Sequence, residues 1–256
     1  MRLDLWLVEN GYFASRQAAQ GAIMAGQVSC AGHTLTKPGV QAPAGGQVAV
    51  KRPAVSYVSR GGIKLAYALD NWPIAVEGRI ALDIGASTGG FTDVLLRRGV
   101  RLVYAIDVGY GQLAWSLRQD SRVVVKERTN ARYLTRQILY GAEPIASLAV
   151  IDVAFISLTK ILPAASSLLA AEDAVTVHQG DSFERVEIIA LIKPQFEAGR
   201  AEVGRKGVVR SPEVRLQVVD KICQSARELG FTVQGVVTSP IYGPQGNVEF
   251  LAWFSR

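Results

Sequence analysis

An apolar run, Ile80–Ile84, breaks into Gly85-Ala86-Ser87-Thr88-Gly89-Gly90-Phe91, passes into an amphipathic segment over 92–98, and returns as Leu102–Ile106, closed by Asp107. Strand, glycine-rich turn, helix and strand in that order constrain the chain more than any other feature, because parallel strands need a long crossover and a helix is the usual one. Two more apolar runs, at 149–151 and 188–192, alternate with helical stretches downstream. The expected fold class is therefore α/β: a Rossmann-like parallel sheet with flanking helices.

In open sheets of this kind, ligands bind beyond the carboxyl ends of the strands, and a glycine-rich turn lets a ligand approach the backbone. The spacing of Gly85, Gly89 and Gly90 does not fit the G-x-G-x-x-G of a dinucleotide site. Asp107 ends the second strand, where a carboxylate can accept both hydroxyls of an adenosyl ribose. A phosphate-free ligand satisfying both features is S-adenosylmethionine. Asp83 is expected to meet its ammonium group and Gly85, Ser87 and Gly89 to give room and backbone contacts, with Gly90, Phe91 and Val108 completing the lining.

The first fifty residues have another character. Leu3, Leu5, Leu7 and Val8 predict a short helix stopped by Gly11; Ser15 caps a second, whose apolar face is Ala18, Ala19, Ala22 and Ile23 and which Gly26 ends. A strand over 27–30, a turn at Ala31-Gly32 with His33 beside it, a Pro/Gly-rich loop and a closing strand over 48–50 complete a small α+β domain. The expected division is 1–51, a linker over 52–61, and a large domain over 62–256. Of the net charge of +6, most lies in the first sixty residues, where Arg2, Arg16, Lys37, Lys51, Arg52 and Arg60 face only Asp4 and Glu9. That asymmetry points to a polyanionic partner for the small domain. Arg16 near a helix N-terminus and Lys37 on a loop would converge on a phosphate backbone.

Four ionisable residues stand in apolar or otherwise unusual contexts: Lys64 after Ser59-Arg60-Gly61-Gly62-Ile63, Asp152 after Val150-Ile151, Lys193 after Leu191-Ile192, and Glu249 within Gly246-Asn247-Val248-Glu249-Phe250. Isolated charges there would be costly, so mutual pairing is expected, and the four together are neutral. A ribose 2′-hydroxyl is a poor nucleophile while a sulfonium methyl is already activated, so a transferase needs a group that handles the hydroxyl proton. Desolvation and the nearby Lys64 charge would favour a neutral Lys193 as that base. Asp152 would orient it and approach the sulfonium end, and Glu249 would hold the network.

Two resemblances then become specific. Arg2-Leu3-Asp4, Gly11, Ser15-Arg16, Ala19, Ile23, Gly26-Gln27-Val28, Gly32 and Lys37-Pro38-Gly39 resemble the S-four RNA-binding domain, with Ala31 where that family usually shows Asn. The order Lys64, Asp152, Lys193, Glu249 resembles the FtsJ-type ribose 2′-O-methyltransferases, which implies a class I methyltransferase sheet. The phrases Val58-Ser59-Arg60-Gly61-Gly62, Asp107-Val108-Gly109-Tyr110-Gly111-Gln112-Leu113, Glu127-Arg128-Thr129-Asn130, Phe155-Ile156-Ser157-Leu158, Lys193-Pro194-Gln195-Phe196-Glu197 and Gly243-Pro244-Gln245-Gly246-Asn247-Val248-Glu249 resemble the TlyA family. The resemblance implies methyl transfer to cytidine 2′-hydroxyls of ribosomal RNA, in the large subunit and in some members also the small, with ribosomal RNA or subunits as partners. It also implies Asn130 near the adenine edge, and Arg2, Arg16, Lys37 and Arg60 on RNA. Asp152-Val153-Ala154, where the family more often has Asp-Leu-Ser, and a polar insertion at 178–184 depart from the pattern.

Other classes are weakly supported. The N-terminus lacks a secretory signal's apolar core, no apolar stretch is long enough to span a bilayer, and Cys30 and Cys223 sit in unrelated contexts. A cytoplasmic protein without metal or membrane partner is expected. Arg2-Leu3-Asp4 is superficially like the catalytic phrase of pseudouridine synthases, but lies at the start of the small domain. An RNA-binding ribosome-assembly factor with a non-catalytic methyltransferase domain and a haemolysin-like role are the alternatives. His33 and His178 are read as solvated residues without acid/base work.

Overall fold

Leu3 and Leu7 on α1 (Leu3–Glu9) meet Ala19, Ala22 and Ile23 on α2 (Arg16–Met24), and Val28 and Val48 close this small apolar core. The i, i+3, i+4 spacing of the three α2 residues forms one stripe. Ala18, read from the sequence as part of that stripe, is exposed because it lies off it. The computed structural model describes residues 1–13, 15–24, 26–42, 48–50, 57–170 and 185–256. The chain divides into two units, 1–56 and 57–256.

In the first unit β1 (Val28–Cys30) lies between β2 (His33–Leu35) and β3 (Val48–Val50), antiparallel to both. Cys30 pairs with His33 across a two-residue turn in which Ala31 and Gly32 have φ of +48° and +81°. Left-handed conformation at both central residues is the I′ hairpin turn, which explains the Asn preference of the resembling domain at position 31. His33, beside that turn, begins β2, since the two-residue loop is complete without it. The Pro/Gly-rich loop over 43–47, Lys51, the linker over 52–56 and the insertion with His178 lie outside the described residues.

The second unit is built on a seven-stranded sheet. Its strands are β4 (Ile80–Ile84), β5 (Leu102–Ile106), β6 (Val123–Lys126), β7 (Leu148–Ile151), β8 (Glu187–Ile192), β9 (Thr232–Thr238) and β10 (Phe250–Ser255), in the order β6-β5-β4-β7-β8-β10-β9. β4 through β8 run parallel, and β10 is antiparallel to both β8 and β9. Every residue of β4, β7 and β8 is buried, because helices cover both faces. Ile80, Leu82 and Ile84 join a core with α6 (Arg136–Tyr140), α7 (Leu162–Leu168) and α9 (Pro212–Glu228). Ala81 faces the other way, among Leu65 and Leu69 of α3 (Gly61–Asn71) and Val94 and Leu95 of α4 (Gly90–Arg97). Residues 57–61, read from the sequence as linker, are tied into this unit: Val58 N donates to Asp93 Oδ2 at 2.9 Å, and Gly61 opens α3.

At the amino ends of the strands, buried Arg79 pairs with Glu187, and its Nε donates to Ser147 Oγ at 3.1 Å. That fastening leaves the carboxyl ends free for a site. The chain leaves β4 towards β5 and β6 on one side and returns through β7 towards β8 on the other, so the loops after β4 and β7 flank the point where strand order reverses. Doubly wound sheets open a ligand crevice there.

Candidate active site

Gly85, directly after β4, has φ +88°, and a Cβ on it would strike the carbonyl of Asp152 after β7. Glycine is thus required to let the two loops meet at the switch point. Ser87 follows at φ +48° and sends its N–H to Asp107 Oδ2 at 2.8 Å, while Gly109 N donates to Oδ1 at 2.7 Å. These bonds fix the Asp107 carboxylate, and each oxygen keeps a lone pair for another donor. A cavity of about 480 Å³ opens here, lined by Gly85, Ser87, Asp107, Val108, Asn130 and Asp152 among apolar neighbours such as Ile84 and Ile161. Asn130 caps a short helical turn by accepting from Arg132 N at 3.1 Å. An anchored acceptor pair at one wall and a mainly apolar slot beside it suit a ribose diol carrying a flat base.

A second cavity of about 490 Å³ shares Gly85, Ser87, Asp152 and Ala154 with the first. Lys64, Lys193, Glu249, Gly90 and Phe91 also line it. Lys193 Nζ lies 2.5 Å from Asp152 Oδ1, and Lys64 forms an ion pair with Glu249. Glu249 is fully buried and Lys64 is 7% exposed, so their pairing removes what would otherwise be two isolated buried charges. Lys193 and Asp152 retain 13% and 21% side-chain exposure, so this second pair can reach a ligand. Sequence context puts the four at strand ends or in short, unusual contexts; the fold places Lys64 on α3 and gathers all four on one cavity as two ion pairs, with Lys64 paired to Glu249 rather than standing as a bare charge beside Lys193.

Asp83 and Gly89 lie elsewhere than expected. Alternation along β4 turns Asp83 onto the α4 face, where it is fully buried, accepts from Thr92 Oγ1 at 2.6 Å and lines neither cavity. Burial is the largest influence on its carboxyl group and pushes its pKa up to about 7. Gly89 has φ +94° and caps α4; a Cβ on it would collide with Leu117 of α5 (Trp115–Arg118) and approach Leu113, so the backbone there packs against the protein rather than lining either cavity. Ser59, Thr88, Gln112, Thr129 and Gly243 line the cavities without having stood out individually in the sequence. Glu197 is another: buried on α8 (Pro194–Glu197), it accepts from Ser157 Oγ at 2.5 Å and Leu158 N at 2.7 Å, and so ties the loop after β7 to the Lys193 segment. Its signal is a carboxylate in a short Pro-Gln-Phe-Glu turn that follows a buried strand.

In the first unit, Arg2 and Arg16 both donate to the buried carboxylate of Asp4, their side chains remaining 48% and 51% exposed, and Lys37 is exposed on a loop. Arg60, in the second unit, donates to the carbonyl of Tyr242 at 2.8 Å and lines the cavity of the Lys64, Asp152, Lys193, Glu249 tetrad. Among the described residues no group of three His, Cys, Asp or Glu could hold a metal ion, and no helix is long and apolar enough to cross a membrane.

Comparison with known proteins is consistent over both units. The FtsJ-like methyltransferase family matches residues 57–256 and the S4 domain matches residues 1–48. The chain is 46% identical over 253 residues to the 16S/23S rRNA (cytidine-2′-O)-methyltransferase TlyA of Mycobacterium tuberculosis, covering 98% of this chain and 88% of that protein. It is also 46% identical over 250 residues to YqxC of Bacillus subtilis, named as an rRNA methyltransferase, covering 98% of this chain and 84% of that one. A solved structure named as a haemolysin, from Streptococcus thermophilus, superposes with a TM-score of 0.75 at 42% identity over all of this chain and 88% of that one.

Proposed function

The chain belongs to the FtsJ-like methyltransferases, among relatives that carry the TlyA name, and on that premise we propose that it methylates the 2′-hydroxyl of a cytidine in ribosomal RNA, using S-adenosylmethionine. The observation that carries the reading is the shared wall of the two cavities: Asp152 belongs to both, so a nucleoside held at Asp107 extends towards the Lys193 amine. The large-subunit RNA is the first target to test and the small subunit the second, since the name of the mycobacterial relative covers both.

Asp107 would accept the ribose hydroxyls of the cofactor, Asn130 would meet the adenine edge, and the backbone about Gly85 and Ser87 would lie along the rest. The cradle that a Cβ at Gly85 would fill, and the anchored Asp107 acceptors, fit that group. When bound, the cofactor supplies an electrophilic sulfonium methyl. The Lys193 amine is placed to take up the 2′-hydroxyl proton as the oxygen gains the methyl group and the methyl–sulfur bond breaks, a role that belongs to the transition state. Asp152 orients the amine, and the buried Lys64–Glu249 pair fixes the cavity wall behind it. Arg2, Arg16 and Lys37 of the small unit, with Arg60, would bind RNA phosphates.

The test is incubation with purified ribosomal subunits and labelled S-adenosylmethionine, followed by mass mapping of the modified nucleotides. One cytidine 2′-O-methyl site, lost in Lys193→Ala, is expected. RNA binding without methylation would favour an assembly factor.

A further inference from the structure

Residues 199–210 carry Arg200, Arg205, Lys206 and Arg210 against the single acid Glu202. All four cations are exposed, and none has an ion-pair partner among the described residues. Yet their backbone is firmly fixed. Gly199 N donates to Glu202 Oε2 at 2.7 Å at the entrance, and Arg215 of α9 donates to the carbonyls of Val209 and Arg210 at 2.9 and 3.0 Å at the exit. In the middle, Gly207 N donates to the carbonyl of Gly204 at 2.7 Å and closes a turn with Arg205 and Lys206 at its two central positions. Asn247, only 2% exposed, grips the same stretch from inside: its Oδ1 accepts from Val209 N at 3.1 Å and its Nδ2 donates to the carbonyl of Gly207 at 2.8 Å.

Asn247 stands two residues before the tetrad's Glu249, and Gly207 lines a cavity of about 400 Å³ to which Lys193 also contributes. Free guanidinium and ammonium groups on an ordered turn, whose Gly207 lines a cavity together with Lys193, form a preorganised anion grip: ordering the turn is already done before the partner arrives. A phosphodiester suits it, since Arg binds phosphate as a bidentate fork and Lys as a point charge.

We infer that the 199–210 loop, led by Arg205 and Lys206, holds backbone phosphates of the RNA strand that carries the target nucleoside, giving the methyltransferase unit its own RNA grip separate from the small domain. The inference rests on the rRNA reading above for the identity of the strand. It assigns the loop to substrate binding, with no part in the chemical step.

The experiment uses the full chain with ribosomal subunits, comparing wild type, Arg205→Ala/Lys206→Ala, and Arg227→Gln on the last turn of α9 as an exposed-charge control. Affinity is titrated at several salt concentrations, and methyl transfer is measured in parallel. The double variant should raise KM about tenfold with kcat within about twofold, and reduce the slope of log affinity against log salt by roughly 0.7 to 0.9 for each phosphate no longer neutralised. The control should do neither. Unchanged slope and KM overturn the inference, as does a fall in kcat alone, which would make the loop a wall of the cavity. If wild type transfers no methyl group, the activity reading fails, while the salt titration still decides the loop.

Discussion

Lys193 Nζ stands 2.5 Å from Asp152 Oδ1, and Asp152 lines both the cavity holding the tetrad and the cavity beneath Asp107. An amine tied to the residue shared by two ligand chambers is placed to act on whatever joins them. Replacing Lys193 by Ala should lower kcat by about 10²–10⁴, the usual range for a positioned general base, with cofactor affinity by calorimetry within about twofold. Lys193→Arg should not restore turnover, because guanidinium does not give up its proton near neutral pH. An active arginine variant would mean that the position supplies charge alone.

Asp107 offers a second test, at the other end of the crevice. Its two oxygens already receive the Ser87 and Gly109 amides, so Asp107→Ala removes both the proposed ribose acceptors and the brace on the glycine-rich loop. Cofactor binding should weaken by roughly 2–4 kcal/mol, or about thirty- to a thousandfold, given about 1.5–3 kcal/mol for each charge-assisted bond before relaxation. Calorimetry with S-adenosylmethionine reads this directly. Wild-type affinity in the variant would remove Asp107 from the proposed site.

Most of what positions these groups was legible in the sequence because buried parallel strands write themselves as continuous apolar runs: β4, β5, β7 and β8 match the four runs there. Three strands leave no such clear mark. β6 and β9 are edge strands of mostly intermediate burial: β6 is a run of only three valines before Lys126, β9 is interrupted by Gln234 and Gly235, and β10 follows a glycine-rich loop that masks the start of Phe250–Ser255. Site residues split along the same line. Asp107 ends its strand and projects into a cavity, whereas Asp83 lies within β4, where the period of two decides which face it meets. Asn247 carried no local signal, because its purpose is a clasp on a loop some forty residues earlier in the chain.

The buried position of Asp83 sets a pH dependence. Its folded-state value of about 7 lies above the ordinary 3.8, burial being the first cause. Between these values the folded chain retains a proton that the unfolded chain has released, so stability declines as pH rises from about 4 to about 7 and levels off above. The ceiling is about 4 kcal/mol at 1.36 kcal/mol per pH unit. Asp83→Asn keeps an acceptor for Thr92 and cannot ionise, so its melting temperature should fall less over that interval than the wild type's. Parallel melting curves across pH 4–7 would show that Asp83 is ionised throughout.

In the small unit, one buried carboxylate organises two exposed cations. Asp4 accepts from Arg2 Nε and Arg16 Nε at 3.0 Å each and from Gln20 Nε2 at 2.6 Å, linking α1 and α2 at the surface proposed for RNA. The Arg2 hydrogen bond, followed by that of Gln20, holds the Asp4 carboxyl well below the usual carboxylate range, so the clamp stays charged through the neutral range and well below it. Two variants separate the charge from its placement. Arg2→Gln/Arg16→Gln should weaken binding to ribosomal subunits and flatten the salt dependence by roughly 0.7 to 0.9 per phosphate, about 1.4 to 1.8 in all if both guanidiniums meet phosphates. Asp4→Asn leaves both cations in place but no longer fixes them, so affinity should drop while the slope does not flatten, and the drop should be the same at pH 5.5 and pH 8. Cofactor binding should be untouched in either case. A flattened slope in Asp4→Asn would mean that the guanidiniums have left the phosphates altogether, and wild-type affinity in Arg2→Gln/Arg16→Gln would leave Asp4 as a fastener between two helices, with RNA held elsewhere.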